Sequence, residues 1–169
     1  PGSGSDHVWY FSGSGNWVVN NYLQSDNSGG GVTMQVDGPG TVTWNPNGSY
    51  AGADNINAVN INGGTLVLAY PHPKIVSRAI SDYGAFVFDS PAQSQTLSGV
   101  ISGYGIVRVN NGTLTLGGAS TYGATNVLAG GELIVNSVEN PGTSGPLGLA
   151  LITFKGGTLG YSLNNTFDY

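Results

Sequence analysis

Apolar and polar residues alternate along most of this chain, in short runs that open on a glycine. The phrase Gly-x-apolar-x-apolar occurs at Gly40-Thr41-Val42-Thr43-Trp44, Gly64-Thr65-Leu66-Val67-Leu68 and Gly84-Ala85-Phe86-Val87-Phe88. It returns at Gly112-Thr113-Leu114-Thr115-Leu116 and Gly131-Glu132-Leu133-Ile134-Val135, and more weakly at Gly157-Thr158-Leu159-Gly160-Tyr161. Alternation of period two is the mark of a half-buried strand. Further alternating pieces lie between the copies, among them Val32-Thr33-Met34-Gln35-Val36 and Ile106-Val107-Arg108-Val109. Asn47-Gly48, Asn62-Gly63 and Asn111-Gly112 supply turns.

The opening glycines recur at a mean of about 23 residues, so the chain is a repeat. One coil of a parallel β-helix needs that length for three short strands and their turns, and coils stack at the strand spacing of about 4.8 Å. Inward side chains then form apolar ladders, which predicts Leu66, Phe86, Leu114, Leu133 and Leu159 inside on related faces. The glycine before each strand is read as permitting a sharp, often left-handed bend. A β-sandwich or barrel also has short strands and frequent turns. It gives no reason to hold one Gly-Thr-Leu phrase at a fixed phase. The reading is all-β and parallel β-helical, with the sandwich as its rival.

Two stretches break the rhythm. After Pro71-His72-Pro73, residues Ile75, Val76, Ala79, Ile80 and Tyr83 stand at helical spacing and suggest one or two turns of helix, with strands as the other reading. Near the start, Trp9, Tyr10, Phe11, Trp17 and Tyr22 are close together. They are read as a cap over the open end of the solenoid. The alternative makes Trp9, Trp17, Tyr22 and Trp44 a carbohydrate platform, since aromatic faces suit sugar rings. The expected layout is a linker or processing scar over 1–5, N-terminal rungs or cap over 6–50, and repeats over 51–169, cut short at the C-terminus.

Composition narrows the chemistry. The chain has 169 residues, enough for one domain, and only 8% are charged, which excludes helix bundles and coiled coils. Net charge is -5, and the four cations Lys74, Arg78, Arg108 and Lys155 do not cluster. A nucleic-acid surface or polybasic membrane face is therefore excluded. With no cysteine there is no disulfide and no thiolate metal site. None of the nine acids forms an Asp-Asp or Asp-x-Asp pair. Asp26, Asp37 and Asp54 could meet across neighbouring rungs, but solvated corners are the preferred reading. His7 and His72 read as surface residues, and no Gly-x-Ser-x-Gly elbow or calcium-binding nonapeptide is present. No catalytic residue, metal site or cofactor is assigned, and the chain is not read as an enzyme.

The stretch Thr96-Leu97-Ser98-Gly99-Val100-Ile101-Ser102-Gly103 leads into Gly112-Thr113-Leu114-Thr115-Leu116-Gly117-Gly118-Ala119-Ser120-Thr121-Tyr122-Gly123. Ala129-Gly130-Gly131-Glu132-Leu133-Ile134-Val135-Asn136 follows. Over about residues 90–161 this resembles the autotransporter-associated β-strand repeat, or passenger-associated transport repeat. The motif positions are Gly112, Thr113, Leu114, Thr115, Leu116, Thr121, Tyr122, Gly131, Leu133 and Val135. The chain departs in lacking one residue between Tyr122 and Gly123. The resemblance implies a right-handed parallel β-helix in the secreted passenger of a bacterial surface protein, displayed outside the cell. The expected role is a stalk or scaffold that assists translocation and display. Surface glycans and a second copy, through open β-helix ends, are the expected partners.

Overall fold

The computed structural model describes residues 7–21, 23, 31–45, 56–69 and 75–165, with 75, 76 and 92 by backbone alone. The chain is all-β, a parallel β-solenoid of about five turns with coils of about 22 residues. The strands begin with β1 (His7–Phe11), β2 (Asn16–Val19), β3 (Val32–Val36), β4 (Thr41–Trp44) and β5 (Ile56–Ile61). They continue with β6 (Thr65–Leu68), β7 (Ile75–Val76), β8 (Ala79–Asp82), β9 (Ala85–Leu97) and β10 (Ile101–Gly103). The last are β11 (Ile106–Leu116), β12 (Thr125–Leu128), β13 (Glu132–Val135), β14 (Leu151–Phe154) and β15 (Thr158–Tyr161).

Three faces follow from the pairing. The first stacks β1, β3, β5, β8 and β10. The second stacks β2, β4, β6, the first half of β9, the first half of β11, β12 and β14. The third stacks β7, the second halves of β9 and β11, β13 and β15. β9 and β11 bend from one face to the next, and their mutual register slips between Val109 and Thr113 at that corner. Every named strand pair is parallel, so the sandwich alternative fails.

Side-chain alternation puts every second residue inside. On the second face Trp17, Val42, Leu66, Phe86 and Val107 lie over one another in register, as do Val19, Trp44, Leu68, Phe88, Val109 and Leu128. On the third face Leu114 stacks on Leu133 and Leu133 on Leu159. All five expected inward residues point inside, but in two ladders: Leu66 and Phe86 on the second face, the other three on the third. The widest gap between repeats, from Gly84 to Gly112, is this change of face. The copy that continues the second face is Gly105-Ile106-Val107-Arg108-Val109, where Val107 and Val109 are buried.

The glycines that open the phrases owe their place mainly to stacking. Of the six, Gly64 and Gly112 alone have positive φ, at 68° and 78°. A Cβ on Gly40, Gly84, Gly131 or Gly157 would lie 2.1, 2.4, 2.5 or 2.6 Å from a carbonyl oxygen of the coil beneath. The left-handed bend thus applies to two copies. In the others a neighbouring coil's backbone occupies the space of a side chain.

The helical spacing around residue 80 is not a helix. β7 and β8 occupy it, and Ile80 is an inward rung between Val59 and Ile101, 3% exposed. A strand partner above and below outweighs the weak local helix signal.

Candidate functional site

The residues of the proposed sugar platform are distributed as follows. Trp9 pairs in register with Met34, and Trp17 with Val42, so both take inward positions in the first described coil. They are 48% and 49% exposed because that coil ends the described stack. The Trp17 ring meets Phe11 edge to face at 6.1 Å. Trp44 is buried, and its Nε1 donates to the Asn21 carbonyl at 3.2 Å. Tyr22 lies outside the described residues. Trp44 therefore presents no face to a ligand, while Trp9 and Trp17 stay half-exposed at the end of the described stack.

Of the acids considered, Asp37 is exposed and its carboxylate accepts from Gln35 Nε2 and Asn62 Nδ2 at 2.8–3.0 Å. Asp26 and Asp54 lie outside the described residues, as does His72. No cluster of three or more His, Asp or Glu able to hold a metal occurs among the described residues. Among the described residues no helix is long and apolar enough to cross a membrane.

A buried polar cluster closes the later coils. Tyr122 Oη donates to Asn126 Oδ1 at 2.6 Å and also lies 3.3 Å from the Pro146 carbonyl. Asn126 Nδ2 donates to the Leu147 carbonyl at 3.0 Å, and the Leu147 amide donates to Glu139 Oε1 at 2.7 Å. Ser120 and Gly145 form an antiparallel bridge beside it. Burial raises the Glu139 pKa above its ordinary value, opposed by the Leu147 amide. The network pins the 136–150 connection onto the coils. Its hydrogen bonds run inward, and it offers no nucleophile beside a base.

Like Asn126 and Glu139 of this network, two further features of the molecule were not singled out by sequence reasoning. On the outside, the rings of Tyr83 and Tyr104 sit 6.2 Å apart on successive coils, 57% and 78% exposed. The signal is the recurrence of Tyr-Gly at Tyr83-Gly84 and Tyr104-Gly105. The third such pair, Tyr122-Gly123, is one residue out of phase. Gly123 meets the Tyr104 ring, with its amide on the Gly103 carbonyl, and Tyr122 turns fully inside. A one-residue slip exchanges the two faces of a strand. Inside, Asp82 continues the ladder of Phe11, Val36 and Ile61 and is 0% exposed. Its signal is the alternation Ile80-Ser81-Asp82, which puts Asp82 in an apolar slot.

The motif positions fall on the core. Leu114, Leu116, Leu133, Val135 and Tyr122 are buried, Thr113 and Thr115 are half-buried on the outer side, and Thr121 is exposed. No protein-family model, curated protein or solved structure matches the chain.

Proposed function

We propose that the chain is a structural segment, a stalk or scaffold in a secreted, surface-displayed bacterial passenger, where its progressive stacking assists translocation and display. The observation that carries this reading is the agreement of ladders and hydrogen bonds. The apolar rungs run from coil to coil in register, and the buried network of Tyr122, Asn126 and Glu139 is directed at holding those coils together. The resemblance between residues 90 and 161 supplies the passenger context.

The test is surface display of a reporter fused to this segment and a membrane anchor. Thr41 and Thr65 are register partners on β4 and β6, so removing residues 41–64 joins Gly40 to Thr65 and regenerates a Gly-Thr junction. Display should survive that deletion and be lost in Leu114→Asp, which puts a charge in the ladder. Display that persists in Leu114→Asp contradicts the reading.

Carbohydrate binding is the second reading, and to the half-exposed Trp9 and Trp17 the fold adds the exposed pair Tyr83 and Tyr104. Exposed rings on adjacent coils offer apolar faces and hydroxyl groups to a sugar. Retention on a glycan array that Tyr104→Ala abolishes supports it. An array with no retained glycan removes it.

A further inference from the structure

The first face carries one rung that an apolar ladder has no reason to contain. Asp82 pairs in register with Ile61 below and Gly103 above, and its side chain is shielded from solvent. Oδ1 accepts the Gly84 amide at 3.0 Å, whereas Oδ2 is buried with no hydrogen-bond partner. The carboxyl group lies directly against the next coil: a Cβ on Gly105 would sit 2.1 Å from Asp82 Cγ. A buried carboxylate oxygen without a donor or a cation is costly, and the group escapes that cost by keeping its proton.

No charged side chain among the described residues faces it. On β5 and the corner below, Asp37 is exposed and occupied by Gln35 and Asn62. Tyr83 and Tyr104, the neighbours of the two paired rungs, are exposed. On β9 and β11, Asp89 is held by Asn110 and Asn111, and Arg108 is exposed and donates to Asn110. Tyr122, whose amide neighbours Thr121 and Gly123 bond to the β10 carbonyls of Ile101 and Gly103, directs its hydroxyl at Asn126.

We propose that Asp82 is a pH-sensitive rung: as the neutral acid it lets β8, β10 and the Gly105 corner close on one another, and its ionisation loosens that junction. The solenoid is thereby tighter in mildly acidic surroundings than in alkaline ones. This goes beyond a passive stalk and does not depend on where the chain is displayed. Desolvation raises the Asp82 pKa from 3.8 to about 6, against the opposing Gly84 and Phe86 amides. The folded state then binds more protons than the unfolded state between those values. Stability is full below the unfolded pKa, falls as pH rises through the folded one, and levels off above it.

The test is thermal unfolding across about pH 5 to about pH 8, with Glu139→Gln as background because that buried acid shifts in the same direction. The background protein should melt roughly 3–6 °C lower at the alkaline end. Adding Asp82→Asn, which keeps the acceptor for Gly84 and carries no charge, should flatten the profile. A profile that keeps its full slope in Asp82→Asn overturns the proposal. Carbon-13 NMR of the wild-type protein decides independently of any variant. The Asp82 carboxyl should titrate near 6, and a midpoint near 3.8 overturns the proposal.

Discussion

Tyr122 and Asn126 face each other inside the solenoid, and the 2.6 Å bond from Tyr122 Oη to Asn126 Oδ1 puts a polar pair at the level where the apolar second-face ladder passes Val107. Both side chains are completely buried. Tyr122→Phe takes the phenol away from the Asn126 carbonyl oxygen and should cost about 1–3 kcal/mol. Asn126→Leu restores an apolar rung but takes the donor away from the Leu147 carbonyl, at a similar cost. The double variant should lose less than the sum, because the shared bond is counted twice. A double-mutant cycle in urea measures the coupling.

Stability in a solenoid resides in its ladders. Leu114 is 0% exposed and stacked on Leu133, so Leu114→Ala should cost about 2–5 kcal/mol through the cavity it leaves. Leu151, 75% exposed on β14, should tolerate alanine within about 0.5 kcal/mol. Denaturant melts of the two variants check the contrast.

The strands, the coil length and the inward residues were legible in the sequence because alternation and a repeated Gly-Thr-Leu phrase both follow from stacking. What the phrase did not reveal was the face each copy builds. Gly105-Ile106-Val107 continues the second face, and β11 then bends through Gly112 to the third, so one coil contains two copies. The polar residues inside were also missed. Asn126 and Glu139 look in sequence like turn residues, and the coils packed around them decide that they are buried, whereas Asp82 was marked only by its phase with Ile80. Likewise a tyrosine before a glycine is outside at Tyr104 and inside at Tyr122, a one-residue difference of phase.

The stacked glycines give a steric prediction. A methyl on Gly131 would sit 2.5 Å from the Gly112 carbonyl oxygen and 2.8 Å from Val109 Cγ1, whereas a methyl on Gly15 meets nothing within 4 Å. Gly131→Ala should lower stability by about 1–3 kcal/mol, as overpacking does. Gly15→Ala should be neutral or stabilise by up to about 1 kcal/mol through the unfolded chain. Thermal melts of the two single variants make the comparison.

Glu139 gives a second prediction in pH. Burial holds its folded pKa above the usual 4.5, so its neutral form is favoured in the fold and stability declines as pH rises through the folded value. Glu139→Gln keeps an acceptor for the Leu147 amide and removes the ionisable group. The variant should match the wild type near pH 4 and exceed it near pH 8 in chemical denaturation. Equal loss of stability at both pH values would mean that the carboxyl group, and not its protonation, is what the loop needs.

The central claim is that successive coils lie in parallel register, and the absence of cysteine from the chain allows a direct measurement. Thr115 and Ile134 are register partners on β11 and β13, half-buried on the outer side, whereas Thr113 pairs with Glu132 two positions earlier. Adjacent strands lie about 4.8 Å apart, within the Cα range that a disulfide spans, and a two-residue offset exceeds it. On mild oxidation of the monomer, Thr115→Cys with Ile134→Cys should cross-link rapidly, and Thr113→Cys with Ile134→Cys should not. Failure of the first pair, or equal cross-linking of both, would contradict the stacked solenoid.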